Sequence, residues 1–452
     1  MRREPIPSSI AILGAGPCGL ACARELARLG YEGWTVWERE QVAGGHAGSE
    51  IDGAGFTWDQ GGHVVFSHFG EFDRLLEEVL GDDVYEHERS SYVLVGDRWV
   101  PYPFQNNLRY LDPEDAYECL VGLIEAPGGD RKDDFATWIE RTFGPGIAAR
   151  FMRPYNSKVW TTELERMSAR WVGERVSVVD THRALRNLVL GLDDVAWGPN
   201  NTFRFPTTGG TGEIYRRLAL QLGDRLRFGR EVVGVDVGRR CVSFTDGSTE
   251  EYDALVSTIP LDLLVASIEE CPSDVRAAAE LLEHNCVRVV GVGCERPLMD
   301  ERSWLYFADP AVPFYRVTNF AKYAAANVPG ADTTRYSSYL TETAYRPGRH
   351  DHVDGLDDSV VDALVSTGLI DWDTPIASQH TIDIEYAYPI PTLDRDPAVE
   401  RIQEWLMEHR IYSRGRFGTW RYEIGNMDHA VKMGVDVARL LVEDRPEALW
   451  AS

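Results

Sequence analysis

The residues I-A-I-L-G-A-G-P-C-G at 10–19 constrain this chain more than any other segment. Residues 9–13 are a short apolar run that reads as a buried strand, 14–19 as a tight glycine turn and 20–29 as a helix. Leu20, Ala23, Leu26 and Ala27 place an apolar stripe on one face of that helix. A second run, W-T-V-W at 34–37, ends in Glu38. Strand, glycine turn, helix, strand and an acidic residue about 20 positions beyond the glycines form a βαβ dinucleotide-binding unit. Gly14, Gly16 and Gly19 let the backbone approach a pyrophosphate at a helix N-terminus, while Glu38 suits the ribose hydroxyls.

Two further glycine turns follow closely, G-G-H-A-G at 44–48 and D-Q-G-G-H at 59–63. Three such turns point to a flavin, FAD, rather than to a nicotinamide cofactor. A strand pair across 232–244 and the run D-A-L-V-S-T-I-P at 253–260 read as the returning half of the flavin domain. The far end carries R-G-R-F-G-T-W-R-Y-E-I-G-N-M-D-H at 414–429, rich in arginine, aromatics and glycine, followed by a helical pattern. Both ends of the chain are therefore expected to close on one flavin, with anion-binding groups beside it.

Length implies more than one domain, since 452 residues exceed a single simple core. A formal charge of −26 argues against nucleic-acid and anionic-membrane partners. Binding a nucleotide then requires local positive pockets, and arginine must supply them, because the only lysines are Lys132, Lys158, Lys322 and Lys432. The acidic balance fits a salt-adapted host or a GC-rich genome equally well. Seven cysteines without a C-x-x-C pair read as reduced thiols of a cytoplasmic protein. Residues 10–29 look superficially like a signal sequence, but Arg24, Glu25 and Arg28 interrupt them. No stretch reaches the roughly 20 apolar residues of a membrane span.

The expected class is α/β. A Rossmann-like FAD-binding domain is built from 1–90, 208–283 and 416–452. A helical insertion covers 108–190, where charged and apolar positions alternate at helical spacing. A mostly antiparallel β-sheet domain takes 91–107, 191–207 and 284–415, with short β-branched and aromatic runs. Residues 347–358 are polar and read as a surface loop.

Several blocks in order resemble the UDP-galactopyranose mutases of the eukaryotic type. They are G-G-H-V-V-F-S-H (61–68), W-V-P-Y-P-F-Q-N-N (99–107), F-M-R-P-Y-N-S-K-V-W (151–160), G-E-R-V (173–176) and W-G-P-N-N-T-F-R-F-P (197–206). W-L-Y-F (304–307), P-F-Y-R (313–316), Y-P-I-P-T-L (388–393) and the 414–429 stretch complete the set. The resemblance implies interconversion of UDP-galactopyranose and UDP-galactofuranose without net redox change. In that family reduced FAD attacks the sugar C1 through N5 and expels UDP. The sugar recloses through O4, and UDP recaptures C1.

The resemblance also assigns residues. Arg175, Arg316, His63 and Asn200 form the catalytic set; the two arginines hold the diphosphate, a task that suits a permanently charged, forked guanidinium. Tyr306, Tyr388 and Tyr422 supply hydroxyls. Tyr102, Phe104 and Gln105 match the uracil site, Asn156 and Trp160 the nucleotide contacts of the helical domain, and Met152 and Trp304 further substrate positions. Asn200 matches a sugar contact and Phe66 a residue on the galactose side. Beside the fingerprint, the flavin falls to Gly45, Gly61, Gly62, His63, His68, Val232, Gly425, Asn426 and Met427, with His68 supporting His63. A helix starting near Asp428 would set its dipole against the flavin's N1–C2=O edge. Arg89 and Arg416, with Ser91 nearby, fill the positions that bind NADPH as the reductant.

The sequence departs from that family in places. G-G-H-A stands where G-G-L-A is usual, which leaves His46 unexplained. Met427 and Ala430 replace polar residues, and 177–197, matching the mobile flaps, diverges at its centre. The tail is shorter than that of fungal members, so a homo-oligomer is left open. Two other readings stay open at this level: a mutase of another nucleotide sugar, such as a pentose or deoxy sugar, and an FAD-dependent amine oxidase or desaturase. A diphosphate-binding set of arginines and tyrosines has no use in an oxidase of neutral amines.

Overall fold

The computed structural model describes residues 5–195, 201–349 and 353–450. Asn200 and Trp197 therefore lie outside the described residues. A five-stranded parallel sheet runs in the order Ile411–Ser413, Ala254–Ser257, Ile10–Leu13, Trp34–Trp37, Leu226–Arg227. Its central strands are buried on both faces, as parallel sheets require, and so read as unbroken apolar runs.

The helix Pro17–Arg28 follows the first strand and packs against Met427–Glu443 and Gly212–Leu222. Ile12, Leu20, Leu26, Val36, Val431 and Val435 share one core there. The helix starts at Pro17, three residues before the expected Leu20. Proline has no N–H to lose in a first turn, so it extends the helix rather than ending the turn. Gly14 sits at φ +102°, and a Cβ on Gly19 would lie 2.0 Å from the Gly14 carbonyl oxygen. Both positions therefore need glycine.

A second sheet has seven strands, ordered Ile376–Pro389, His284–Cys294, Ser337–Tyr345, Arg316–Asn319, Trp304–Phe307, Ser91–Val95, Arg98–Pro101. It is antiparallel except where Trp304–Phe307 runs parallel to Ser91–Val95. The helices Pro113–Glu125, Phe135–Ile147, Arg153–Trp160 and Thr181–Leu190 occupy the stretch read as helical. Phe135, Trp138, Phe143 and Trp171 pack in their core.

Three segments fall differently from the expected division. Ile411–Ser413 joins the parallel sheet beside Ala254–Ser257, although 284–415 was assigned to the antiparallel domain. Thr202–Pro206 forms its own two-stranded ribbon with Val84–Glu88, outside the seven-stranded sheet. The polar loop ends at Gly355, where a helix Leu356–Ser366 buries Leu356, Val360, Ala363 and Leu364 at helical spacing. Among the described residues no helix is long and apolar enough to cross a membrane, and all seven cysteines are free.

Candidate active site

A single cavity of about 1530 Å3 runs from the glycine fingerprint to the face shared by the seven-stranded sheet and the helical region. Gly14, Gly16, Glu38, Gly45 and Val232 line its first end. The Glu38 carboxylate accepts the N–H of Ala15 at 2.6 Å and of Glu40 at 2.9 Å. Gly16 and Gly45 face each other across a bare slot: a Cβ on Gly45 would lie 3.3 Å from the Gly16 Cα. The helix that begins at Pro17 has Gly16 as its N-cap, and no side chain caps it. Free N–H groups and an open backbone slot fit a pyrophosphate.

The turn carrying His63 forms the middle of the cavity. Gly62 donates its N–H to Glu342 Oε1 at 2.9 Å, and a Cβ there would meet Thr318 Oγ1 at 2.3 Å. His63 Nδ1 is buried without a hydrogen-bond partner among the described residues. Desolvation pushes the His63 imidazole down to about 4, with Arg416 adding to the shift against the opposing pull of Glu342. His46 lies edge-on to Phe417, ring centroids 5.8 Å apart, and desolvation followed by Arg416 pushes it down to about 3. Both imidazoles are therefore neutral near pH 7. Asn426 is the N-cap of Met427–Glu443, and no side chain bonds that helix start. His68 is anchored to Asp428, its Nδ1 2.8 Å from Oδ2. The unpaired His63 nitrogen, the bare slot and two uncapped helix starts fit a flavin dinucleotide.

Arginines and phenols crowd the other end. Arg316 forks onto Glu342, with Nε 2.7 Å from Oε1, and approaches the Tyr388 hydroxyl at 3.3 Å. Glu342 also accepts the Tyr315 hydroxyl at 2.6 Å. Burial alone would raise the Glu342 carboxyl, but the Arg316 charge together with the hydrogen bonds from Arg316, Tyr315 and Gly62 holds the group below its ordinary value. Arg175 donates to the Glu423 carbonyl at 2.9 Å and to the Asn426 amide oxygen, and lies 5.3 Å over the Tyr422 ring. Arg416 donates to the carbonyls of Gly425 (3.1 Å) and Ala387 (2.9 Å), and its Nε is unpaired. Among the described residues, Arg175 and Arg416 thus bond only neutral oxygens.

Arg89 stacks on Trp304 at 4.4 Å, with Ser91 Oγ 3.1 Å from Nε. Arg316 lies 4.8 Å from the same indole. Tyr102 and Tyr306 stand 4.9 Å apart, and Trp160 meets Tyr422 edge-on at 4.8 Å. Burial raises the phenols of Tyr102 and Tyr388, so they serve as neutral donors. Gln105 donates its amide to the Ser177 carbonyl and keeps a buried, unpaired Oε1. Asn156 is fixed by a 2.7 Å bond to the Met152 carbonyl. Phe66, Met152, Asn156 and Trp160 all line the cavity.

Three expected site residues do not line it. Phe104 is fully buried and packs on Phe151 at 5.3 Å, so it is a core residue behind the wall. Ser91 acts through Arg89, and Gly19 serves helix-to-turn packing. The sequence reading missed Glu342, Tyr315, Tyr155 and Trp171. Tyr315 and Tyr155 were within quoted motifs. Glu342 left one signal, the lone charge in the strand Ser337–Tyr345, which the structure buries and sets with Glu342 directly opposite Arg316.

A family model described as flavin-containing amine oxidoreductase matches residues 17–369. A solved reduced UDP-galactopyranose mutase is 36% identical, covering 98% of this chain and 95% of its own, with a TM-score of 0.92. A putrescine oxidase bound to putrescine is 16% identical and covers 96% of this chain and 99% of its own, with a TM-score of 0.67, a likeness of fold alone. Zeta-carotene desaturase from Synechocystis sp. is 39% identical over 70 residues, 16% of this chain and 14% of that protein's length. The architecture is that of an FAD-binding flavoprotein with a mutase-like fold.

Proposed function

This chain belongs to the family of flavin-containing amine oxidoreductases, and from that premise we propose that it is a flavin-dependent mutase of the eukaryotic type, interconverting UDP-galactopyranose and UDP-galactofuranose. The observation that carries this reading is the pair Arg175 and Arg416, cationic groups that among the described residues bond only neutral oxygens, inside a chain of net charge −26. Such charge is suited to the phosphates of a nucleotide substrate and a nucleotide reductant, whereas a cationic amine would be repelled.

Gly14, Gly16, Glu38, Gly45, Val232, Gly61, Gly62, His63, Gly425, Asn426 and Met427 would hold FAD. Reduced FAD supplies nucleophilic chemistry toward the anomeric carbon. Arg175 and Arg316 meet the charge that develops on the departing diphosphate, and fixed donors are most effective where charge appears in the transition state. Tyr306, Tyr388 and Tyr422 add hydroxyl donors, and burial raises the Tyr388 phenol above its ordinary value. Neutral His46 and His63 leave the cavity's positive charge to the arginines. Gln105, Asn156 and Trp160 take the uridine, and Phe66 and Asn200 the sugar side.

NADPH is the proposed reductant, held by Arg416 and by Arg89, which Ser91 positions. Arg89→Ala should slow reduction by NADPH at least about tenfold, as expected for a lost charge-assisted bond. Turnover after dithionite reduction should fall much less. Equal loss in both assays would remove the NADPH role.

The function is tested by giving UDP-galactofuranose to anaerobic, dithionite-reduced holoprotein beside an oxidised control. Conversion to UDP-galactopyranose in the reduced sample alone is the expected result. No conversion with FAD bound and reduced would refute the assignment.

A further inference from the structure

Lys158 is one of four lysines and has no part in the reading above. It sits on the helix Arg153–Trp160, between Asn156 and Trp160, both of which line the cavity. Its ammonium donates to three backbone carbonyls: Asp309 at 2.9 Å, Val312 at 2.7 Å and Phe314 at 2.7 Å. An ammonium has three N–H donors and no acceptor, so this seat uses the whole set. A planar guanidinium does not match three convergent carbonyls.

All three carbonyls belong to the connection between Trp304–Phe307 and Arg316–Asn319. Those strands pair antiparallel with Tyr306 opposite Arg316. The hairpin thus presents a phenol and a guanidinium to the diphosphate end, and Lys158 gathers the carbonyls of its connection. From the same helix, Tyr155 meets Tyr306 edge-on at 5.4 Å and Tyr315 at 6.4 Å. The nucleoside helix therefore grips the hairpin at two places.

We propose that Lys158 is a positioning residue that locks the nucleoside-binding helix to the hairpin carrying Tyr306 and Arg316, so that seating the nucleoside aligns the diphosphate donors. This rests on the nucleotide-sugar reading. Without the ammonium, three carbonyls lose their common partner and the hairpin is free to shift. Misplacement of a catalytic group by about 1 Å costs on the order of a hundredfold in rate.

The test titrates FAD-loaded wild type and Lys158→Met with UMP and with UDP, and measures kcat and KM for UDP-galactofuranose. UMP affinity should stay within about twofold of wild type, UDP affinity should fall about tenfold, and kcat should fall by roughly ten- to a hundredfold. Equal losses for the two nucleotides, or no loss for either, would overturn the proposal. Should the variant fail to retain FAD, hydrogen exchange on the wild type decides. UMP must then slow exchange in residues 308–316, and unchanged exchange there overturns the proposal. Wild-type protein that binds neither nucleotide would contradict the uridine-diphosphate reading itself and remove this proposal with it.

Discussion

Removing Arg316 would leave Glu342 buried, with only Tyr315 and the Gly62 N–H to bond it among the described residues. An orphaned buried charge costs about 3–5 kcal/mol. Arg316→Ala should therefore lower stability as well as turnover, and its lost activity says little about the diphosphate. Arg175 is the cleaner probe, because its partners are a carbonyl and an amide oxygen. Arg175→Ala should reduce kcat by roughly 10²–10³-fold, the usual loss for one transition-state donor, while barely moving the unfolding temperature. Near-normal turnover would discredit its diphosphate role.

The two cavity histidines make a second prediction at this scale. His46 and His63 have folded pKa values of about 3 and about 4, below the ordinary 6.5. The unfolded chain then binds protons first as pH falls, so stability is full above about 6.5 and is lost toward pH 4. Asp59 runs the other way: burial raises its carboxyl to about 7, so its contribution declines as pH rises from about 4 to 7. Comparison with His46→Leu isolates the histidine effect. The variant should lose less stability than wild type between pH 6.5 and 4 in thermal melts, and parallel curves would contradict the assignment.

At the scale of elements, the helices Pro17–Arg28 and Met427–Glu443 meet at Gly434. A Cβ there would lie 2.1 Å from the Cys18 carbonyl oxygen and 2.9 Å from the Cys22 nitrogen. Backbone against backbone cannot yield as a flexible side chain can. Gly434→Val should cost about 3 kcal/mol or more, the upper end of overpacking, and should weaken FAD retention because both helices begin at the cavity. Urea unfolding and flavin absorbance would check this, and wild-type values in both would refute it.

The elements themselves were largely legible in sequence. Residues 10–13, 34–37 and 254–257 are local apolar runs, and glycine spacing marks the turns between them. Pairings across long separations were not. Glu342 reaches Arg316 through strand register, and Lys158 meets its carbonyls more than a hundred residues away; neither contact leaves a periodic trace. Phe104 was misassigned because a motif shows which residues are near a site, not which side of its wall they occupy. Ile411–Ser413 was misplaced for a related reason, since three residues are too few to carry a pattern and only their neighbour Ala254–Ser257 shows their sheet.

For the whole molecule, the decisive fact is that both chain ends and the central sheet converge on one cavity. Residues 10–19 supply the bare glycine slot, 414–429 supply Arg416 and Tyr422, and the seven-stranded sheet supplies Arg316 and Tyr388. The chain's net charge is −26, yet its cavity holds Arg175 and Arg416, which among the described residues bond neutral oxygens alone. The account's central claim is that this cavity breaks and remakes the bond between the sugar C1 and the diphosphate. Positional isotope exchange tests it directly, using UDP-galactose labelled with 18O at the bridge between C1 and the β-phosphorus. The account predicts that reduced holoprotein scrambles the label into the non-bridging β-phosphate positions while the oxidised protein leaves it in place. Label that stays in the bridge with FAD bound and reduced would contradict it.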